Sequence, residues 1–388
     1  MPKRYIISYT SRNVSQNTAA SILNMAPRSL QEGVSILATD AVLSNADALH
    51  FDGLSVSSLA LTDSQAARLR TDPRILAVEE DMPMHKLEII SAQSAAPVVS
   101  PAATQTIPWN IQMVKAPQAW ARNITGSGVK VAVLDTGIAP HPDLVISGGK
   151  SFVEGVTSTR DGDGHGTHCA GIIAAKNNGI GVVGVAPNAS LFAVKVLDDT
   201  GSGRTLWILA GMAWARQNGM HIVSMSLGAT ACPLIAYTNA IAELTVAGVT
   251  VVCAAGNSGS LTSSFRCVNS PANSKGAIAV AAVDRNRARA DFSSFGTGCC
   301  GVAANPVTLS APGVSINSTI PGGYGIKSGT SMACPHIAGA AALVKQRFPS
   351  LKPNEIKTKL VSTATDLGTA GIDQFFGAGL VDCNKATL

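Results

Sequence analysis

Aromatic and charged residues are scarce in this chain, at 4% and 14% of 388 residues. No apolar run reaches the roughly 20 residues that a membrane-spanning helix needs. No cluster of Lys and Arg of the kind that follows nucleic-acid phosphates is present either. The chain begins with the charged Met1 to Arg4 and continues into a strand-like run, so no apolar signal-peptide segment is visible. These absences argue against a membrane protein and against a nucleic-acid-binding protein.

The eight cysteines are too sparse for a disulfide scaffold, and none forms the C-x-x-C pair that suggests zinc. They leave room for one or two disulfides and leave the redox compartment open. Hydrophobic residues make up 46% of the chain, which predicts a globular protein with a sizeable core. The length suits one large domain and one small one.

The composition changes near residues 86–104, where an Ala/Ser/Pro-rich stretch has neither a helical nor a strand period and predicts a linker. Residues 1–85 read as a small α+β module, with a helix expected near 62–69 after good N-cap residues. Residues 1–103 hold 8 basic and 10 acidic residues, net −2, and the remainder holds 21 and 14, net +7. Opposite charges fit two parts that dock on each other, although counts this small also arise by chance.

Beyond residue 107, short β-branched apolar runs alternate with helical patterns. Nearly continuous apolar runs are typical of strands that are buried on both faces. The alternation therefore predicts a parallel sheet that lies between layers of helices. The predicted strands cover 129–134, 191–196, 221–225, 249–254 and 277–283, and the predicted helices cover 206–217, 234–247 and 353–362.

Three short segments carry residues suited to catalysis. Asp135 ends a buried strand before a glycine turn, His165 follows a glycine-rich loop, and Ser331 precedes a helix in whose first turn we expect Pro335. The carboxyl ends of parallel strands are where sites form. Taken singly, Asp135 could be a turn residue or helix cap and Ser331 a helix cap.

Two metal interpretations compete at the second segment. The pair His165 and His168 could bind a metal, but the spacing and the missing Glu differ from the zinc-protease motif. The sequence Asp161-Gly-Asp163 begins like a calcium loop, yet no further ligands follow at EF-hand spacing.

Together, and in the order Asp, His, Ser, the three segments resemble the signature blocks of subtilisin-like serine proteases. The resemblance covers essentially the whole chain. It implies an α/β fold with a mostly parallel sheet flanked by helices, preceded by a small α+β ferredoxin-like propeptide domain. The implied divisions are an inhibitory propeptide at 1–85, a processing linker at 86–104 and a peptidase domain at 105–388.

The resemblance also implies residue roles. Ser331 would be the nucleophile, His165 the general base, and Asp135 the group that orients and stabilises the histidine. His168 would be structural. Asn257, which would otherwise read as a turn residue, would donate a hydrogen bond to the oxyanion. Extended substrates would pair with two cleft edges and enter a specificity pocket; the residues concerned are Gly201, Ser226, Leu227, Gly228 and Gly256.

The segment after residue 176 contains a G-x-G-x-x-G match. In dinucleotide-binding proteins this motif begins a helix, and here it does not, which argues against a dinucleotide site. The segment resembles the family's calcium loop instead. The implied Ca²⁺ ligands are side-chain oxygens and backbone carbonyls, which suit this ion; they come from Gln105, Asp143, Lys176, Asn178, Ile180 and Val182.

The expected protein is therefore a secreted, monomeric serine endopeptidase, made as a self-processing zymogen that its own propeptide inhibits. Its expected partners are polypeptide substrates, with no nucleic acid and no membrane. A peptide ligase or macrocyclase on the same scaffold, or a silent peptide-binding relative, is the alternative. Cys169 and Cys334 are expected to be buried free thiols, and Cys232 and Cys267 are candidates for a disulfide.

Overall fold

The computed structural model describes residues 2–10, 18–23, 48–51, 53–89, 104–260, 266–296 and 306–388. The described part of the N-terminal block is a four-stranded antiparallel sheet with two helices. Its elements are β1 (Lys3–Tyr9), α1 (Thr18–Leu23), β2 (Ala48–Phe51), β3 (Val56–Leu61), α2 (Asp63–Arg70) and β4 (Ile75–Glu80). The strand order across the sheet is β2-β3-β1-β4.

Helix α2 begins where the sequence predicts it, because Thr62 and Gln65 form a capping box. The Thr62 side chain accepts a hydrogen bond from the Gln65 backbone N–H, and the Gln65 side chain accepts one from the Thr62 backbone N–H. These two bonds satisfy two backbone groups that a helix start otherwise leaves unpaired.

The larger part of the molecule is built on seven parallel strands. In chain order its strands, including short ones outside the central sheet, are β5 (Pro83–Lys86), β6 (Lys130–Asp135), β7 (Ile146–Ser151), β8 (Ser190–Lys195), β9 (Ser202–Arg204), β10 (Ile222–Met225), β11 (Leu227–Gly228), β12 (Thr250–Ala254), β13 (Ile278–Val283), β14 (Leu309–Pro312), β15 (Ile316–Ile320) and β16 (Gly323–Lys327). The central sheet runs β14-β13-β12-β10-β6-β8-β7, and β15 pairs with β16 in a hairpin.

Helices cover both faces of this sheet. They are α3 (Trp109–Met113), α4 (Ala116–Trp120), α5 (His165–Ala174), α6 (Thr205–Gln217), α7 (Ile235–Val246), α8 (Thr330–Arg347), α9 (Pro353–Ser362) and α10 (Cys383–Ala386). Alternate residues of the central strands enter two separate apolar clusters, one with α5 and α8 and the other with α6 and α7. All five predicted strands and the predicted helices are present, and the predicted α/β architecture is confirmed. Among the described residues, none of the helices is both long enough and apolar enough to cross a bilayer.

Strands β7 and β14 have no counterpart among the predicted strands. β7 lies at the edge of the sheet and carries two glycines and mostly exposed positions, so it lacks an apolar run. β14 is only four residues long and ends in Pro312. Sheet pairing, rather than local composition, makes both of them strands.

The expected place of Pro335 in the first turn of its helix is wrong, because α8 begins five residues earlier, at Thr330. A proline inside a helix cannot donate to the carbonyl four residues before it. That carbonyl belongs to Ser331, and it accepts a hydrogen bond from the Ser226 hydroxyl at 2.8 Å instead. The proline therefore frees a backbone oxygen that ties the start of α8 to Ser226, between β10 and β11.

The N-terminal block docks on the start of α6 and α7. Glu79 accepts hydrogen bonds from the backbone N–H groups of Ile235 and Ala236, at 2.7 and 2.9 Å. Asp81 accepts one from Leu206 at 2.9 Å and forms an ion pair with Arg204 at 2.6 Å. Carboxylates at helix starts satisfy unpaired N–H groups and complement the helix dipole.

Candidate active site

Asp135 and His165 meet at the carboxyl edge of the central sheet. Asp135 is the last residue of β6 and His165 the first of α5, and Asp135 Oδ1 lies 2.7 Å from His165 Nδ1. Both side chains are fully buried. His165 Nε2, on the other side of the ring, has no hydrogen-bond partner among the described residues. The carboxylate thus fixes the ring so that Nε2 is left to interact with another group.

A buried carboxylate shapes the loop that delivers His165. Asp161 accepts hydrogen bonds from the backbone N–H groups of Asp163, Gly164 and Thr167, at 2.8 to 3.0 Å. It also accepts hydrogen bonds from the hydroxyl groups of Thr136 and Thr167. These bonds account for Asp161 as a structural residue that joins the loop to the start of α5.

Ser331 is the second residue of α8 and lies beside the same pair. Its carbonyl oxygen is 3.5 Å from the sulfur of Cys169, and that sulfur is within 4.8 Å of the ring and carboxylate atoms of His165 and Asp135. The Ser331 hydroxyl donates to the Ser226 carbonyl at 2.8 Å and accepts the N–H of Leu87 at 3.1 Å. In this state, therefore, the hydroxyl is bonded to Ser226 and Leu87 and not to His165.

The residues 83–89, called the cleft segment below, run through the site as an added strand. β5 pairs antiparallel with β11 on one side and with β9 on the other. Lys86 donates its N–H to the Gly201 carbonyl at 2.9 Å, and Leu87 donates to the Ser226 carbonyl at 3.3 Å. Predicted residues Gly201, Ser226, Leu227 and Gly228 therefore lie on the two edges that hold this segment.

The Leu87 carbonyl points to the start of α8, where its oxygen accepts the Ser331 N–H at 3.3 Å. A methyl group added at Gly329 would come within 2.4 Å of this oxygen and 3.3 Å of Asn257 Nδ2. Asn257 Oδ1 accepts the N–H and the hydroxyl of Thr330, at 2.9 and 2.8 Å. Its buried Nδ2 has no partner among the described residues, so a fixed donor lies near the Leu87 carbonyl.

The Leu87 side chain is buried against the pocket predicted from the sequence. A methyl group at Gly228 would lie 3.1 Å from Leu87 Cδ1 and 2.9 Å from the Ser270 carbonyl. Gly256 has a left-handed φ of +115°, and a methyl group there would overlap the Asn269 side chain at 2.5 Å. Glycine at these two positions leaves the space that the Leu87 and Asn269 side chains occupy.

His168 faces away from His165, and its bonds are those of a structural residue. Its Nε2–H donates to the Ile316 and Gly325 carbonyls, at 3.0 and 3.1 Å. Burial, followed by the charge of Lys327, lowers the pKa of His168 from 6.5 to about 3. The two histidines therefore do not converge on a common point as metal ligands would.

The predicted calcium ligands gather in one place beside β16. Gln105 Nε2 lies 2.6 Å from the Lys176 carbonyl oxygen and 3.0 Å from that of Val182. Asn178 Nδ2 lies 3.0 Å from Asp143 Oδ1. The fully buried Asp143 also accepts the Val182 N–H and the Tyr324 hydroxyl. Ile180 belongs to the same loop and pairs with Thr104 in an isolated bridge.

Four of the six described cysteines, Cys169, Cys253, Cys334 and Cys383, are buried free thiols. Cys232 and Cys267 are each disulfide-bonded, and their pairing with each other stays a prediction. Cys299 and Cys300 lie outside the described residues.

Three residues of the site were missed as functional candidates in the sequence. Thr330 holds Asn257, while Asp163 and Lys327 carry charges on the two sides of the cleft. Asp163 was considered only as part of a calcium loop. The signal that could have singled it out is an acidic side chain two residues before His165, inside a glycine-rich loop.

Residues 126–379 match the Subtilase family, Peptidase_S8. The chain is 47% identical to "Alkaline protease" of Alkalihalobacillus alcalophilus over 87% of its own length and 80% of that protein. It is 51% identical to "Subtilisin Savinase" of Lederbergia lenta over 73% and 99% of the two lengths. It is 42% identical to "Subtilisin NAT" of Bacillus subtilis subsp. natto over 87% and 81%.

These matches agree with the parallel sheet flanked by helices. The chain belongs to the subtilase family. It is a serine-type endopeptidase, and its substrates are polypeptides.

The His168 environment predicts acid destabilisation. The folded protein holds this histidine neutral down to about pH 3, whereas the unfolded chain binds the proton near pH 6.5. Because only the unfolded state gains the proton in this window, the free energy of unfolding should fall as the pH falls from 6.5 to 3. Above pH 7 His168 should contribute no pH dependence.

The measurement is denaturant unfolding against pH in a Ser331→Ala background, in which no self-digestion is expected. His168→Gln should flatten the slope by about one proton between pH 6.5 and 4, whatever its effect on overall stability. An unchanged slope would show that His168 is not held neutral.

Proposed function

We propose that the chain is the zymogen of a secreted endopeptidase that cuts itself between Leu87 and Glu88, with Asp135, His165 and Ser331 as catalytic residues. One observation carries this proposal. The Leu87 carbonyl oxygen accepts the Ser331 N–H while the chain continues past it to Ile89, whose N–H donates to the Ser328 carbonyl at 2.7 Å. A single peptide bond is therefore held in register on both sides of the serine.

The chemistry follows from these positions. Ser331 Oγ attacks the Leu87 carbonyl carbon, and His165 Nε2 takes the hydroxyl proton. Asp135, bonded to Nδ1, keeps the ring in the required tautomer and stabilises its charged form. The bond to the Glu88 nitrogen then breaks as the histidine returns the proton to that nitrogen. Water, activated by the same histidine, hydrolyses the acyl-enzyme.

Negative charge develops on the carbonyl oxygen during attack. The Ser331 N–H already reaches the oxygen, and Asn257 Nδ2 is a buried donor without another partner among the described residues. Thr330 fixes the amide through its oxygen, so little reorganisation is needed. Donors that are positioned in advance stabilise the transition state more than the ground state.

The same contacts support inhibition by the N-terminal block. The cleft segment pairs with both edge strands, β9 and β11, and the Leu87 N–H donates a hydrogen bond to the Ser331 hydroxyl. Glu79 and Asp81 anchor the block on α7 and α6. After cleavage the block would remain as a product-like inhibitor until it is degraded. Disulfide bonds at Cys232 and Cys267 support an extracellular location, where oxidising conditions preserve such bonds, and we propose a monomer.

Self-cleavage is tested by expressing the wild type beside Ser331→Ala. The wild type should yield fragments 1–87 and 88–388, whose masses sum to one water more than the intact chain. Ser331→Ala should remain intact, because it lacks the hydroxyl that would attack the Leu87 carbonyl. Mass spectrometry and N-terminal sequencing, which should find Glu88 first, provide the measurement.

The matched control is Ser362→Ala, which removes an exposed hydroxyl at the end of α9 and should split like the wild type. Equal splitting of Ser331→Ala and the wild type would contradict self-processing. A new N-terminus far from residue 88 would contradict the assigned bond.

Asn257→Ala should lower kcat by roughly 10²–10³-fold, the loss that removing this kind of donor causes in subtilisin itself. KM should change little, because the amide acts on charge that exists only in the transition state. Thr330→Val, which removes one of the two bonds that hold the amide, should give a smaller loss. The control Asn188→Ala alters an exposed asparagine. Steady-state kinetics on one peptide substrate measure all four proteins. A higher KM with an unchanged kcat in Asn257→Ala would reject the role of Asn257 as a donor to the oxyanion.

We infer that the cluster beside β16 binds a structural calcium ion. Two carbonyl oxygens, from Lys176 and Val182, converge on one point, which a positively polarised group must occupy to offset their repulsion. The oxygen and nitrogen of a side-chain amide exchange places by a half-turn. Turning Gln105 and Asn178 in this way would give up the 3.2 Å bonds that their oxygens accept from the Gly179 and Ile180 N–H groups. In exchange, the ion would be ligated by amide oxygens, carbonyls and the Asp143 carboxylate. This all-oxygen set fits Ca²⁺.

Removing calcium from the processed enzyme with a chelator should lower its thermal midpoint and hasten self-digestion. A site that is filled at a thousandfold above its Kd stabilises the folded state by about 4 kcal/mol. Asp143→Asn should have a lower midpoint that no longer responds to chelator or added Ca²⁺, while the control Asp291→Asn should respond like the wild type. Equal responses in the wild type and Asp143→Asn would place the ion elsewhere.

A further inference from the structure

Two ion pairs flank the bond held at Ser331, and each joins the cleft segment to the peptidase domain. On the amino side, Lys86 Nζ lies 2.5 Å from Asp163 Oδ2. On the carboxyl side, Glu88 Oε1 lies 2.8 Å from Lys327 Nζ. Lys86 Nζ is also 3.5 Å from Glu88 Oε2, so the four charges form a short network across the scissile bond.

The peptidase residues of both pairs are held in place independently of the cleft segment. Asp163 Oδ1 accepts the backbone N–H of His165 at 3.1 Å, which leaves Oδ2 for the lysine. Lys327 is the last residue of β16, whose pairing with Ile316 of β15 fixes its backbone. The stem of Lys86 lies over Gly201, where a methyl group would come within 2.6 Å of Lys86 Cδ. The glycine thus leaves a channel along which a long side chain reaches Asp163.

These pairs are more shielded from water than ordinary surface pairs. The side chains of Asp163 and Glu88 are only 10% and 6% exposed, and those of Lys86 and Lys327 are 22% and 16% exposed. Burial lowers the pKa of Lys86, but the contacts with Asp163 and Glu88 outweigh it and raise the pKa above its ordinary value. A partly buried charge that loses its partner is costly, so each position discriminates between substrates.

Resting on the proposed protease function, we propose that Asp163 and Lys327 determine substrate preference. Asp163 selects a basic residue immediately before the residue whose carbonyl is attacked, and Lys327 selects an acidic residue immediately after the cleaved bond. The preferred substrates are extended polypeptides that carry the charge order basic, apolar, acidic across the cut. The sequence Lys86-Leu87-Glu88, within the cleft segment, is itself the first such substrate.

The test uses internally quenched peptides with the sequence of residues 82–91 and the self-processed enzyme. One peptide has Met in place of the lysine, and another has Gln in place of the glutamate. For the wild type, kcat/KM should be about tenfold higher with lysine than with Met, and about fivefold higher with glutamate than with Gln. Both ratios should shrink in 1 M salt, which screens such pairs.

Variants assign each ratio to its residue. Asp163→Asn keeps the acceptor for the His165 N–H and should bring the lysine preference close to one, while the glutamate preference stays. Lys327→Met keeps an unbranched apolar side chain and should bring the glutamate preference close to one, while the lysine preference stays. Glu154→Gln, which changes an exposed carboxylate by the same charge, should alter neither ratio. Because ratios are compared within one enzyme, a general loss of rate from a change near His165 cancels.

Equal cleavage of the lysine and Met peptides by the wild type would overturn the role of Asp163. A lysine preference that survives in Asp163→Asn would do the same. Equal cleavage of the glutamate and Gln peptides by the wild type, or a glutamate preference that survives in Lys327→Met, would overturn the role of Lys327. Failure to cleave any peptide, or casein, would instead count against the protease function.

A double-mutant cycle measures the interaction between Lys86 and Asp163 without any catalysis. In the intact Ser331→Ala chain, Lys86→Met and Asp163→Asn should each lower the thermal midpoint, and the double variant should fall no further than the more damaging single one. Fully additive shifts would overturn the pairing of these residues.

Discussion

The antiparallel pairing of β5 with β9 and β11 is the constraint on which the arrangement of this molecule depends. Backbone pairing advances in two-residue steps, so a slip of one residue would turn every side chain to the opposite face. In the observed register, Leu87 presents its carbonyl to Ser331, its side chain to the pocket beside Gly228, and its N–H to the serine hydroxyl. The same register places a lysine and a glutamate against charges of opposite sign.

Helix starts provide several of the donors that hold the N-terminal part of the chain. Glu79 binds the first N–H groups of α7, Asp81 binds one at the start of α6, and the Leu87 carbonyl binds one at the start of α8. These N–H groups have no partner within their own helices, so they attract negative or partly negative oxygen. The same physical device docks the N-terminal block and, in the proposed mechanism, would stabilise the oxyanion.

Several buried polar atoms at the site have no partner among the described residues, and two of them are His165 Nε2 and Asn257 Nδ2. Leaving such a group unpaired costs about 1–3 kcal/mol, and proteins tolerate this cost mainly where function requires it. Each of the two groups is fixed from behind, by Asp135 in one case and by Thr330 in the other. Their positions are therefore fixed in advance by bonds that do not involve the remaining atom.

The sequence by itself determined five of the seven central strands and the capped helix α2, because local patterning carries this information. It also singled out Asp135, His165, Ser331 and Asn257 as candidates, through segments that resemble the motifs of the subtilase family. It did not reveal strand β7, which only its neighbour in the sheet makes a strand, or the place of Pro335, whose free carbonyl finds Ser226 through a contact remote in sequence. The partners of Asp163 and Lys327 were likewise decided by the tertiary structure. The position of a charged residue in the sequence does not reveal its partner. Only folding brings Asp163 within reach of Lys86 and Lys327 within reach of Glu88, on opposite sides of one peptide bond.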